Sequence, residues 1–163
     1  MMSNTLLKVN HITATTDAET IGDNKVICTG VECPGIFDTT RGRALLKSIR
    51  IIDEIATGPA IDILFSTTSD VITQDEGKSI GEDVADLDTV FRNMIGHVSI
   101  VAGDWTDLHD AKMATKTNID LVLEAANNTD KSIYMHIVNR SGGNYVATAT
   151  TVMKVKLGIE SQR

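Results

Sequence analysis

The densest set of chemistry-bearing side chains lies in Gly103–Asp110, where Asp104, Asp107 and Asp110 recur at every third position beside Trp105 and His109. Hard cations such as calcium want several oxygen ligands, so three carboxylates in one loop invite a cation-site reading. The D-x-D-x-D-G register of an EF-hand is absent, however, and we read the run as a solvated acidic loop. A glycosidase needs two carboxylates flanking a sugar cleft, which one acidic loop does not provide. His11, His97, His109 and His136 are each isolated in sequence and read as hydrogen-bonded or exposed imidazoles. Three of them, His11, His97 and His136, fall on expected strands, where an imidazole can also sense protons. Cys28 and Cys33 are five positions apart, too few to close a tetrahedral zinc site, and read as two reduced, partly buried thiols. Trp105 and Tyr145 offer material for a sugar-stacking platform, but one Trp and two Tyr in the chain favour core or turn packing. Met94, Met113, Met135 and Met153 sit among apolar neighbours and read as core filling. The chain has no phosphate-cradling G-x-x-x-x-G-K-[ST], no G-x-G-x-x-G after a strand, no H-E-x-x-H and no G-x-S-x-G elbow. We therefore expect no catalytic residue, no cofactor-binding residue, no metal ligand and no cofactor.

The elements that would hold these residues are mostly strands. Ile, Val and Thr make up roughly 30% of the chain and aromatics 4%, which leans towards an all-β fold because β-branched side chains fit a pleated sheet. Leu7–Thr16 reads as a first strand, with Leu7, Val9 and His11 alternating against Lys8, Asn10 and Ile12. Lys25–Cys28 is a short second strand, broken at Cys33-Pro34-Gly35. Ala44–Asp53 and Ala60–Ser66 flank Thr57-Gly58-Pro59 and read as a hairpin. Asp70–Val84 is a long polar loop, and the acidic run continues to Asp88; a loop of this length can mark an interaction surface. Leu87, Val90, Phe91, Met94 and Ile95 follow helical spacing, so one short helix is expected over about residues 86–95, capped by Asp86 and ended by Gly96. Period two returns in His97–Ala102, Lys112–Lys116, Ile119–Ala125 and Ser132–Arg140. It is cleanest in Thr151–Glu160, where Met153, Val155, Leu157 and Ile159 should face the core. About eight strands at short spacing plus one helix predict a mainly β fold, a β-sandwich or jelly-roll-like barrel.

The 163 residues are expected to form a single β domain, residues 1–163, with an N-terminal arm over about residues 1–6 that is mobile in the free protein. Area scaling gives a folded surface of roughly 7,900 Å² against roughly 25,000 Å² unfolded, so a core can form without a disulfide or metal staple. A net charge of -7 with no basic block argues against nucleic-acid binding, since phosphate contacts need clustered Lys and Arg. Met1–Asn10 has neither a basic n-region nor an apolar h-region, and no stretch approaches a membrane span. The expectation is a soluble protein made in a cytoplasm, with no membrane partner.

One resemblance covers roughly residues 43–159. It rests on Arg43-Ala44-Leu45-Leu46-Lys47-Ser48-Ile49 leading into Ala60-Ile61-Asp62-Ile63-Leu64-Phe65, then Ile95-Gly96-His97-Val98-Ser99-Ile100. Met113-Ala114-Thr115-Lys116-Thr117-Asn118-Ile119 follows, and Val155-Lys156-Leu157-Gly158-Ile159 closes it. This order resembles small tailed-bacteriophage virion proteins that decorate or cement capsids. The resemblance implies a non-enzymatic structural protein on the capsid surface of a virion assembled in the host cytoplasm. Its implied partners are the major capsid protein of the shell and further copies of itself, with a homotrimer favoured. A tail or head-fibre component is one alternative, and a carbohydrate-binding or adhesion module is another.

Overall fold

The computed structural model describes residues 6–16, 20–37, 42–55, 57–69, 77–80, 87–125, 130–147 and 151–161. The strands among them are β1 (Leu6–Thr15), β2 (Thr20–Ile21), β3 (Val26–Cys33), β4 (Arg43–Asp53), β5 (Ile61–Ser66), β6 (Met94–Ile100), β7 (Trp105–Asp107), β8 (Lys112–Glu124), β9 (Ile133–Asn139), β10 (Tyr145–Val146) and β11 (Thr151–Ser161). One α-helix, α1, spans Leu87–Asn93, and a 3-10 turn spans Ala102–Asp104. A five-stranded sheet runs β1-β11-β4-β8-β7 and a four-stranded sheet runs β3-β9-β5-β6, while β2 and β10 form a small ribbon. The pairings are antiparallel throughout. Following the chain, β1, β4, β8 and β11 alternate with β3, β5 and β9 between the two sheets. That alternation is the double-sheet jelly roll, the narrower of the two architectures expected from the sequence.

The core lies between the sheets. Leu46, Ile49 and Ile51 of β4 and Met153, Val155, Leu157 and Ile159 of β11 meet Ile61, Ile63 and Phe65 of β5 and Met135 and Ile137 of β9. Each such side chain contributes roughly 1.5–3 kcal/mol by leaving water. The outer face of the four-stranded sheet carries a smaller cluster, Val26, Leu64 and Val138, closed by Val90 of α1 with Met94 beside it. Strand β5 is therefore buried on both faces, which explains its run Ile61, Ile63, Leu64, Phe65.

Several local expectations are corrected. Strands β4 and β5 are not a hairpin: β4 pairs with β11 and β8, whereas β5 pairs with β6 and β9. The 54–60 connection, described at 54–55 and 57–60, turns a corner between the sheets instead. Asp53, fully buried, organises it by accepting hydrogen bonds from the backbone N–H of Ile55 (3.1 Å), Thr57 (3.0 Å) and Gly58 (2.7 Å) and from the Thr57 hydroxyl (2.7 Å). Gly58 is required there: its φ is 56°, and a Cβ would sit 2.6 Å from Lys112 Cδ and 3.1 Å from Trp105 Cγ.

The helix ends at Asn93 rather than near residue 95, and Met94 and Ile95 already belong to β6. Gly96 does not cap it. It lies opposite Phe65 in the ladder, and a Cβ there would meet Leu121 Cδ1 at 2.7 Å, so glycine lets β6 approach β8. Asp86, the expected cap, lies outside the described residues. The strands expected at 112–116 and 119–125 are one strand, β8, with a bulge where Lys47 alone faces residues 118–120. Asn118 and Asp120 take left-handed φ of 57° and 54° in that bulge, and Lys47 reaches the Asp120 carboxylate. Strand β3 runs on past Cys28 to Cys33 because Gly30, at φ 63°, absorbs a second bulge. Among the described side chains of β1 Ile12 and Ala14 are buried, while Val9 is 61% exposed and His11 faces outward. Leu6, at the edge of the expected arm, is already paired with Ser161, and the rest of the arm lies outside the described residues. So do most of Asp70–Val84 and residues 126–129.

Candidate interaction surface

The residues that looked able to do chemistry are mostly engaged in holding the fold. Asp104 accepts from Lys116 Nζ at 2.7 Å and from the Val101 N–H at 2.8 Å, and these donors hold its carboxyl below the usual range. Asp107 accepts from the His109 N–H at 2.8 Å, and the His109 ring lies 2.7 Å from Asp110 on an exposed turn. Asp104 is thus held by Lys116 and Val101 while Asp107 and Asp110 both contact His109, and no cluster of three metal-ligating side chains occurs among the described residues. Cys28 and Cys33 are not joined in a disulfide, and both are fully buried rather than partly buried as expected. Burial, helped by the charge of Glu32, pushes the Cys33 thiol up to about 12.

Trp105 and Tyr145 make no platform. Trp105 packs over Gly58 and donates its indole N–H to the Pro59 carbonyl at 2.9 Å. Tyr145 is 1% exposed and its hydroxyl donates to Asp53 at 3.5 Å. Burial, followed by the Asp53 charge, raises the Tyr145 hydroxyl far above its ordinary value, so it stays a donor. Both aromatics brace the 54–60 corner. Met135 and Met153 are core residues, while Met94 and Met113 are half-buried.

His136 of β9 is the one fully buried histidine. Its Nδ1 accepts from the Gly30 N–H at 3.0 Å and lies 2.8 Å from the Thr29 hydroxyl. Because the Gly30 N–H can only donate, the ring proton belongs on Nε2, which donates to Ser66 Oγ at 2.7 Å. Ser66 passes its own proton to the Thr68 carbonyl at 2.7 Å. Burial lowers this imidazole to about 4. The network ties β3, β9 and β5 together and contains no nucleophile with a neighbouring carboxylate.

What remains for function is the outside of the sheets. Cross-strand partners share a face, so register places His11, Lys156, Arg50 and Thr115 in one row across β1, β11, β4 and β8. The next row is Thr13, Lys154, Ile52 and Met113. A depression of about 270 Å³ opens among His11, Thr13, Arg50, Ile52, Lys154 and Lys156. Lys154 pairs with Glu54. Among the described residues no acidic side chain reaches Arg50 or Lys156. A second depression, of about 500 Å³, lies where β6 meets β8, with Met94, Ile95, Val122 and Ala125 in its lining beside Arg92 and Glu124. Val122 is 49% exposed and continues towards Leu45 and Arg43. The basic row was missed in the sequence. The alternation of Lys154 and Lys156 was legible, but Arg50 joins them only through the β4–β11 register.

No protein-family model and no curated protein matches the chain. Among solved structures it is similar to a chain in the capsid of Ralstonia phage GP4, at 14% identity and a TM-score of 0.42, covering 96% of this chain and 84% of that one. It is also similar to a chain of Desmodium yellow mottle tymovirus, at 11% identity and a TM-score of 0.36, covering 99% and 88%. A chain of mud crab tombus-like virus matches at 13% identity and a TM-score of 0.37, covering 100% and 83%. The jelly-roll assignment rests on the strand order above and not on these likenesses.

Proposed function

We propose that the chain is a non-enzymatic structural component of a virus particle, a decoration or cement protein that binds the major capsid protein of a tailed-phage shell and stabilises it. The observation that carries this reading is the division of labour among polar groups. Asp53, Asp104, His136 and Tyr145 brace corners and strands, whereas Arg50 and Lys156 stand outward with no acidic partner among the described residues and Val9 and Val122 stay exposed. Side chains in those places can make contacts; they assemble no reacting site. The sequence resemblance over residues 43–159 points the same way, and the jelly roll is a fold used by viral shells as well as lectins. Fold alone does not choose between those, since function lives in the site. The inward placement of Trp105 and Tyr145 favours the shell over a sugar-stacking module.

On this reading the protein acts as a homotrimer on the capsid surface, and its effect is summed contact area, about 1,600 Å² for a standard interface repeated over the shell. The test is co-sedimentation of the purified protein with shells that lack it. Binding at a fixed ratio to major capsid subunits, with a higher temperature of shell disruption, is the expected result. Attachment only to tails, or retention by glycans without shell binding, would overturn it in favour of a fibre or adhesion role.

A further inference from the structure

The charge of this chain is unevenly placed. Seven of the 22 acidic residues but only one of the 15 basic ones lie between Asp70 and Asp88, so that stretch carries -6 of the net -7. The remainder is close to neutral, yet it bears a basic face. Arg50 and Lys156 sit directly opposite each other on β4 and β11, with Lys154 one row away and His11 beyond Lys156 on β1. Like charges directly opposed across a ladder destabilise it unless an anion lies between them. Glu54 answers Lys154, and no described carboxylate answers Arg50 or Lys156. The depression of about 270 Å³ among these side chains provides a seat for a chain segment. Arg50 adds a planar fork suited to carboxylates.

We propose that this face of the five-stranded sheet docks the acidic 70–88 segment of a second copy of the chain. The anchors of that segment explain why the contact is between copies. A Cβ at Gly30 of β3 would lie 2.9 Å from the Ser69 carbonyl oxygen, and the Gly77 N–H donates to the Val26 carbonyl at 2.8 Å. Further along, Val90 of α1 packs on the outer face of the four-stranded sheet. The described residues Ser69, Gly77 and Val90 thus all lie on the layer opposite the basic face. A contact between two different surfaces of identical subunits is head-to-tail, and it closes into a ring where the rotation allows, a trimer among the options. The inference deepens the virion reading by naming a surface for the self-association it invokes. Its assay contains no shell, so failure here is separable from failure of shell binding.

The test uses three full-length proteins: the native chain, a face variant Arg50→Glu/Lys156→Glu, and a segment variant Asp75→Lys/Glu76→Lys/Glu82→Lys/Asp83→Lys. Arg50 and Lys156 lie outside the core, and circular dichroism verifies the folding of both variants. Sedimentation equilibrium should show the native chain associating in about 20 mM salt and weakening roughly tenfold or more by about 0.5 M, because screening shortens the reach of charge. Each variant alone should be monomeric. Mixed together they should form a dimer, since one keeps the segment and the other keeps the face. A native chain that stays monomeric at about 100 μM in low salt overturns the proposal, as does association that ignores the face variant. So does a mixture that never dimerises, or a face that binds a DNA oligonucleotide while the native chain stays monomeric.

Discussion

Acid should weaken this protein through His136 in a window that its burial defines. The native site holds the ring neutral down to about 4, while the unfolded ring takes a proton near its ordinary 6.5. Above 6.5 neither state binds the proton and the site costs nothing. Between 6.5 and about 4 the unfolded chain binds a proton that the native chain refuses, so stability falls as pH falls. Each unit is worth about 1.4 kcal/mol, so the loss reaches about 3 kcal/mol at the bottom of the window, a large part of the roughly 5–15 kcal/mol that holds a domain. The geometry gives the cause: a protonated Nδ1 would present a donor to the Gly30 N–H, 3.0 Å away, in a site without water-facing relief. Urea denaturation at pH 7, 6, 5 and 4.5, on the native chain and on His136→Gln, isolates the effect. Gln can still accept from Gly30 but cannot titrate. The native chain should lose about 2–3 kcal/mol more than the variant over this range. Parallel pH profiles would refute the reasoning, as would an imidazole nitrogen that titrates near 6.5 by NMR.

Other expectations follow from the same contacts. Asp53→Ala strips the acceptor from three backbone N–H groups and one hydroxyl at the 54–60 corner, and should cost about 4 kcal/mol or more by urea denaturation, with Asp53→Asn milder; a loss under about 1 kcal/mol would contradict the corner's role. Cys28 and Cys33 should resist a thiol-reactive dye in the native protein and react on unfolding; free-cysteine rates in native buffer would refute their burial. Truncation after Thr151 removes the strand between β1 and β4 together with four core side chains and should abolish the folded circular dichroism spectrum. Deleting Met1–Thr5 should leave that spectrum intact and reduce shell binding in a pull-down.

How far the sequence could be read depended on whether the deciding contact was local. Met153, Val155, Leu157 and Ile159 announced their inward face because period two along one strand is a local signal, and the structure buries all four. Strand content and the presence of the 87–93 helix were legible for the same reason. The β4–β5 hairpin was misread because a short Gly-Pro connection looks alike whether it folds a ribbon or turns a corner. What separates the two is Asp53, whose acceptor role is invisible until the N–H groups of Ile55, Thr57 and Gly58 converge on it. Gly96 misled in the same manner: a glycine after a helical run signals a cap, but this one exists for Leu121, which is distant in sequence. The basic face depended on register, and a single-residue slip would have put Arg50 in the core.

The misread β4–β5 connection has a wider physical origin. A jelly roll sends its chain from sheet to sheet at most connections, and each crossing strands backbone N–H groups that no ladder satisfies. Buried polar side chains must satisfy them, so Asp, His, Tyr and Trp gather at corners. Asp53, Tyr145 and Trp105 meet at one such place, and within the four-stranded sheet His136, bonded to Ser66, answers the Gly30 N–H that the β3 bulge frees. These are the residue types that a search for catalysis selects. In a fold of this kind a lone Asp or His on a strand end is therefore weak evidence for chemistry, and the better guide to function is the polar or apolar side chain that the corners leave over. Among the described residues these include Arg50, Lys156, Val9 and Val122, which point out of the five-stranded sheet.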